Sequence, residues 1–173
     1  QALSTQEDTA TPVGINATDE DGDRLAFSIS VPPVHGTLQE SEGHWTYTPD
    51  ANWNGTDSFA FIASDAVVMS EPAVVTITVL PVNDAPAATG QVQSTLEDAA
   101  LPVVLGGSDG DGDAISFAVV QAALHGSLAG SAPNLTYIPE PDWSGVDGFT
   151  FTVSDGDQTS LPAFVFVEVI PVN

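Results

Sequence analysis

The chain contains no cysteine, so disulfides and thiolate metal sites are both unavailable to it. It also has almost no positive charge: Arg24 is the one basic residue against 24 acidic ones, with a formal net charge of -23 at pH 7. One arginine cannot build the basic patch that nucleic acid or an anionic membrane surface requires, which excludes both as partners. Runs of apolar residues fall well short of the roughly 18 needed for a membrane-spanning helix, and no segment reads as a signal peptide or a membrane insertion. Sustained helical periodicity is missing as well. Yet 42% of residues are hydrophobic, too many for an acidic disordered tail, so the chain folds and carries a very acidic surface. That surface leaves cations or basic surfaces as partners. A small domain without disulfides needs another staple, and a metal ion can supply it. These features suit a piece of a larger secreted protein; the cytosolic protein of a halophile is the alternative that composition leaves open.

The sequence repeats itself. Shifted by 90 positions it overlays without a gap, taking Glu7-Asp8 to Glu97-Asp98, Asp19 to Asp109, His35-Gly36 to His125-Gly126 and Tyr47 to Tyr137. Trp53, Asp57, Phe59 and Asp65 fall likewise on Trp143, Asp147, Phe149 and Asp155, and Pro81-Val82-Asn83 on Pro171-Val172-Asn173. This is one domain present twice, read as repeat 1 over 1–82, a junction over 83–90 and repeat 2 over 91–173. Each copy alternates at the period of a strand. Val75, Ile77 and Val79 share one face with Thr76 and Thr78 on the other, and Phe59, Phe61 and Ala63 share a face, as do Phe149, Phe151 and Val153. Runs near 2–5, 12–16, 24–31, 36–39, 44–48, 57–64 and 72–80 predict about seven strands per copy, separated by Gly, Pro, Asn and Asp clusters. The fold class is all-β: two tandem Greek-key antiparallel sandwiches, placed end to end by a short junction that Pro81 and Pro86 restrict.

The runs DEDGD (19–23) and DGDGD (109–113) set like charges side by side before a strand. An EF-hand would need glycine at position 6 and glutamate at position 12; from Asp109 those are Ala114 and Val120, and from Asp19 they are Arg24 and Ser30. The nonapeptide calcium repeat fails too, because Gly106-Gly107-Ser108-Asp109 lacks the fourth-position glycine and the short tandem period. No nucleophile elbow or histidine cluster accompanies the carboxylates, and the expectation is that the chain is not an enzyme. What remains is a site assembled from separate segments for a hard cation such as Ca2+, which takes six to eight oxygen ligands. In a sandwich, the loop after the second strand, the loop after the sixth and the segment entering the domain lie at one pole. Asp109, Asp111 and Asp155 should therefore meet Asn83 and Asp84, a site expected between domains. Asp23 and Asp113 read as turn residues or supports rather than direct ligands. A solvated acidic turn is the plainer alternative.

Several stretches carry a family resemblance: ATDEDGDRLAFSI, HGTLQ, YTPDANWNGTDSFAF and PVNDAP in the first copy, and GSDGDGDAISFAV, HGSL, YIPEPDWSGVDGFTFTVSDG and PVN in the second. The whole chain resembles the bacterial cadherin-like or Ig-like tandem repeats of large secreted surface adhesins, and more distantly the animal cadherins. The resemblance implies calcium ligands at Asn83, Asp84, Asp109, Asp111, Asp155 and Glu7, with Asp19, Asp21, Asp65 and Asp57 as further candidates. It implies ions that stiffen successive repeats of the same chain, at a bacterial cell surface or outside the cell. Two departures reduce the number of ions expected: Pro81 stands where the cadherin linker opens with aspartate, and the acidic Asp-Arg-Glu motif has only Asp50 and Asp57 as rough stand-ins. The alternative function is calcium-dependent binding of carbohydrate, with polysaccharide or another cell surface as partner.

Seven aromatic or imidazole residues bear on that choice. Trp53 and Trp143 recur in both copies and read as packing anchors. Trp45, whose counterpart is Leu135, is freer to touch a glycan. His35 and His125 read as turn or edge hydrogen-bonding groups. Phe164 and Phe166 replace Val74 and Thr76 on the outer face of the last strand, where they predict an exposed apolar stripe.

Overall fold

The computed structural model describes residues 1–172; Asn173, the last residue of the second repeat, lies outside them. The chain divides into two compact units, Gln1–Val82 and the residues from Asn83 onward. The described residues form strands and no helix. The first unit contains β1 (Ala2–Gln6), β2 (Thr11–Val13), β3 (Ala26–Val31), β4 (Gly36–Ser41), β5 (His44–Pro49), β6 (Gly55–Ser64) and β7 (Ala73–Leu80). They build a four-stranded sheet in the order β1-β7-β6-β3 facing a three-stranded one in the order β2-β5-β4. The connections β2 to β3, β3 to β4 and β5 to β6 each cross from one sheet to the other, which is Greek-key winding.

The alternation in the sequence accounts for the core. Phe59, Phe61, Val75, Ile77 and Val79 point inward from β6 and β7 and meet Val13 and Tyr47 of the facing sheet. Pairing is antiparallel except at one edge, where β1 runs parallel to β7 (Ala2 opposite Thr76, Gln6 opposite Leu80). A parallel pair needs a long crossover, and here the whole intervening domain provides it.

The second unit repeats this plan and adds two short strands. Residues 87–89, within the stretch the sequence sets apart as a junction, form β8 (Ala87–Thr89), which pairs with β11 (Gly106–Ser108). Then β9 (Gln91–Leu96), β10 (Leu101–Val104), β12 (Ser116–Gln121), β13 (Gly126–Ser131), β14 (Asn134–Pro139), β15 (Gly145–Ser154) and β16 (Ala163–Ile170) follow. They make sheets in the orders β12-β15-β16-β9 and β10-β14-β13. Val103, Leu105, Tyr137, Phe149, Phe151, Val153 and Val165 are among its buried residues.

Each unit also buries an aspartate at the same place in the fold. Asp57 is 4% exposed, and its Oδ1 accepts from the Val34 and Ser58 N–H groups while Oδ2 accepts from the His35 N–H and the Tyr47 hydroxyl. Burial pushes this carboxyl up, but the three backbone donors and the tyrosine outweigh it and hold it below the usual range. Asp57, a candidate metal ligand by resemblance, has its acceptor positions engaged by these four donors. Asp147 with Leu124, His125 and Tyr137 repeats the arrangement. The same corner explains the histidines and two tryptophans. The His35 ring stacks on Trp53 at 4.3 Å and His125 on Trp143 at 4.4 Å, and both indoles pack against their cores.

Candidate metal centre

The second unit's acidic run is a turn before it is a site. Asp109, directly after β11, accepts from the backbone N–H groups of Asp111 (3.0 Å) and Asp113 (3.1 Å) through its Oδ1. That doubles the chain back within five residues, and Gly112, at φ +80°, takes the left-handed conformation that side-chain-bearing residues resist. As a result the carboxylates of Asp109, Asp111 and Asp113 offer oxygens all within 4.8 Å of one another. Asp109 Oδ2 is buried and has no hydrogen-bond partner.

A second loop is held in the same way. Asp155, one residue past β15, accepts from the N–H groups of Asp157 (2.7 Å) and Gln158 (2.6 Å). The Gln158 N–H, followed by the Asn83 amide, holds its carboxyl below the usual range. Two consecutive residues then connect the loops. Asn83 donates from Nδ2 to Asp155 Oδ2 (2.9 Å), and the Asp84 N–H donates to Asp111 Oδ2 (2.8 Å). Gln158 Nε2 donates to the Asn83 carbonyl (2.7 Å). Five of the predicted residues, Asn83, Asp84, Asp109, Asp111 and Asp155, are thereby brought to one end of the second unit.

Two contributors were not singled out from the sequence. Asp113 reads from the sequence as a turn residue or support; its N–H does serve the turn, and its carboxylate also joins the triad. Gln158 positions Asn83, and no signal in the sequence marks it except that its counterpart is Val68.

The first unit has the turns, each held by hydrogen bonds within its own loop. Asp19 accepts from Asp21 (2.9 Å) and Asp23 (3.0 Å), and Asp65 from Val67 (2.7 Å) and Val68 (2.6 Å). The Val68 and Val67 N–H groups hold the Asp65 carboxyl low. Asp19 and Asp65 line one open pocket of about 200 Å³ with Val68 and Met69. Among the described residues, Asp109, Asp111 and Asp113 are the one acidic group of three or more drawn this close. Glu7 is elsewhere in the first unit, at the end of β1. It is 2% exposed, its Oε1 accepts the Val82 N–H (2.5 Å), and its Oε2 is buried without a partner.

The donor set fits a hard cation. Every group is a carboxylate, amide or carbonyl oxygen, the charges are drawn together rather than dispersed, and a buried carboxylate oxygen is left without a donor. An unmet buried acceptor costs about 1–3 kcal/mol, more when charged, and a divalent ion removes that cost. Transition-metal chemistry lacks its usual thiolate or imidazole ligands at this place.

Comparisons with known proteins agree with the fold. A family model described as a bacterial cadherin-like domain matches residues 1–81, and one described as a bacterial Ig domain matches residues 83–168. No curated protein matches the chain. Among solved structures, the EC1-2 fragment of human mucin-like protocadherin is 16% identical, with a TM-score of 0.50, covering 99% of this chain and 96% of that one. The ectodomain of human desmocollin-1 is 15% identical over 98% of this chain and 40% of its own, at a TM-score of 0.42. An endo-fucoidan hydrolase of glycoside hydrolase family 107 is 21% identical over the full chain, at a TM-score of 0.44; this chain spans 28% of its length. No helix among the described residues is long and apolar enough to cross a membrane. Each of the two sandwiches is matched by its own family model, the first by the bacterial cadherin-like domain and the second by the bacterial Ig domain.

Proposed function

We propose that the chain is a calcium-binding structural repeat module of a bacterial cell-surface or secreted adhesin. The observation that carries this reading is the pair of bonds from Asn83 and Asp84 to Asp155 and Asp111. The residues that follow directly on Val82 are thus tied into the carboxylate cluster of the second unit. Calcium is the ion proposed, with Asn83, Asp84, Asp109, Asp111 and Asp155 as ligands and Asp113 beside them. Glu7 is a separate candidate on the first unit. Asp19, Asp21 and Asp65 form a weaker one, since nothing corresponding to Asn83 bonds Asp65 among the described residues. Without metal the clustered carboxylates repel, and the segment through Asn83 is held by hydrogen bonds alone. With calcium bound, that segment becomes part of a coordination shell and loses its freedom to reorient, so that an array of such repeats stiffens. The role is mechanical and non-catalytic, and it places the protein outside the cell, where calcium is millimolar and extracellular modules bind it at about 0.1–1 mM.

Small-angle X-ray scattering of the full chain, stripped with EDTA and titrated with calcium, tests this. The expected result is a narrower, longer distance distribution at millimolar calcium that Asp109→Ala/Asp111→Ala no longer shows. An unchanged profile would mean that the aspartates are solvated turns.

A further inference from the structure

The first unit has an open groove of about 650 Å³. It runs along the flank where the edge strand of one sheet, β3, meets the edge hairpin of the other, β4–β5. Arg24, Leu25, Phe27 and Ile29 line it from the β3 side, and Glu40 and Trp45 from the hairpin. The volume is in the range of small-ligand sites, about 300–1,000 Å³.

Three features separate this groove from a packing defect. Trp45 is half-buried, in contact with the core cluster and also lining the groove. Glu40, its cross-strand partner, has Oε1 fixed by the Gly43 N–H at 2.7 Å, so the carboxylate is held at the hairpin end. Arg24 is the one basic side chain in a chain with 24 acidic residues, yet it makes no hydrogen bond or ion pair among the described residues. The fold does not require this chemistry. At the matching positions the second unit has Ala114, Gly130 and Leu135, while the apolar floor persists as Ile115 and Phe117.

We propose that the groove binds a neutral pyranose unit of a polysaccharide. A pyranose has an apolar C–H face, which suits the indole, and vicinal hydroxyls that both donate and accept. The guanidinium only donates and the carboxylate only accepts, so the pair matches such hydroxyls from two sides. The sugar is uncharged because Glu40 lines the same groove, Asp23 precedes the single arginine in the chain, and the whole chain carries -23, a field that repels polyanions. This site is independent of the calcium reading and does not involve its ligands.

The test is native electrophoresis of the full chain through gels containing a soluble β-glucan, a glucomannan, a galactan, a xylan or polygalacturonate. The expected result is retardation by at least one neutral polysaccharide, with affinity reduced about tenfold or more in Trp45→Leu and in Arg24→Ala. Arg24 is exposed, so Arg24→Ala should keep the wild-type melting temperature, and leucine occupies the position of Trp45 in the second unit, so Trp45→Leu should keep the fold with a lower melting temperature. Tryptophan fluorescence titrated with the retarding glycan should change in the wild type and not in Trp45→Leu. Absence of retardation by every neutral polysaccharide, retardation by polygalacturonate alone, or unchanged binding in both variants would each overturn the proposal.

Discussion

Replacing Asp109 and Asp111 together by asparagine should raise stability without calcium and remove the stabilisation that calcium gives. Asparagine keeps an Oδ1 acceptor for the Asp111, Asp113 and Asp84 N–H groups, so the turn and the tie to Asp84 survive. What is lost is charge. Three carboxylates within 4.8 Å of one another form three like-charge pairs, each worth about 0.9 kcal/mol in water at that separation and about half a kcal/mol after screening at 0.1 M salt. Removing two of the three charges abolishes all three pairs, so the metal-free variant should gain about 1–2 kcal/mol. Calcium offsets that gain. At 10 mM calcium and a dissociation constant of about 0.1–1 mM, one ion stabilises the wild type by about 1.4–2.7 kcal/mol. For a domain of this size that is roughly 6–20 °C in the melting temperature of the second unit. Scanning calorimetry of both proteins in EDTA and in 10 mM calcium measures all four values. The wild type should show the calcium shift, and the variant should melt higher than wild type in EDTA and respond little to calcium. A variant that is less stable in EDTA would refute the repulsion argument. One that keeps the full calcium shift would refute the assignment of the ion to these residues.

Three further outcomes follow from the buried polar corner and the tight strand contacts. Because Asp57 and Asp147 have their carboxyls held low by the fold, their contribution is fully present above the unfolded value near 3.9 and is lost as pH falls through the lower folded values. Acid titration followed by circular dichroism should show stability falling below about pH 4, and Asp57→Asn should flatten that fall for the first unit. Tyr47→Phe deletes the hydroxyl that donates to Asp57 and contacts the His35 carbonyl at 3.0 Å, and should cost about 1–3 kcal/mol in urea unfolding with m unchanged. Gly36→Ala would place a methyl 2.6 Å from the Thr48 carbonyl oxygen and from the Tyr47 ring, so destabilisation of about 1–3 kcal/mol is expected; a neutral result would mean that the strand can retreat.

The two-unit organisation and the strands were legible in the sequence because both rest on local, repeated signals. The shift of 90 positions aligns residue types directly, and alternation along Val75-Thr76-Ile77-Thr78-Val79 records which face meets a core. The acidic runs were legible for a similar reason, since Asp109 bonds residues two and four positions along its own chain. Other features are relations between distant segments, and no local pattern encodes them. That Asp57 is used up by Tyr47 and the backbone at 34–35 depends on how β6 faces the turn before β4. That Asp113 adds its carboxylate to the triad depends on how tightly the turn closes. Gln158 gained its role only when the loop after β15 came up against Asn83, and Arg24 and Trp45 share a groove only because the edges of two sheets meet there. The sequence by itself determined which residues could be inside, which could turn and where the charge lies. Tertiary structure alone decided which polar groups are satisfied by the fold and which remain open to a ligand, because a hydrogen bond between segments 22 to 75 residues apart is a property of packing, not of composition.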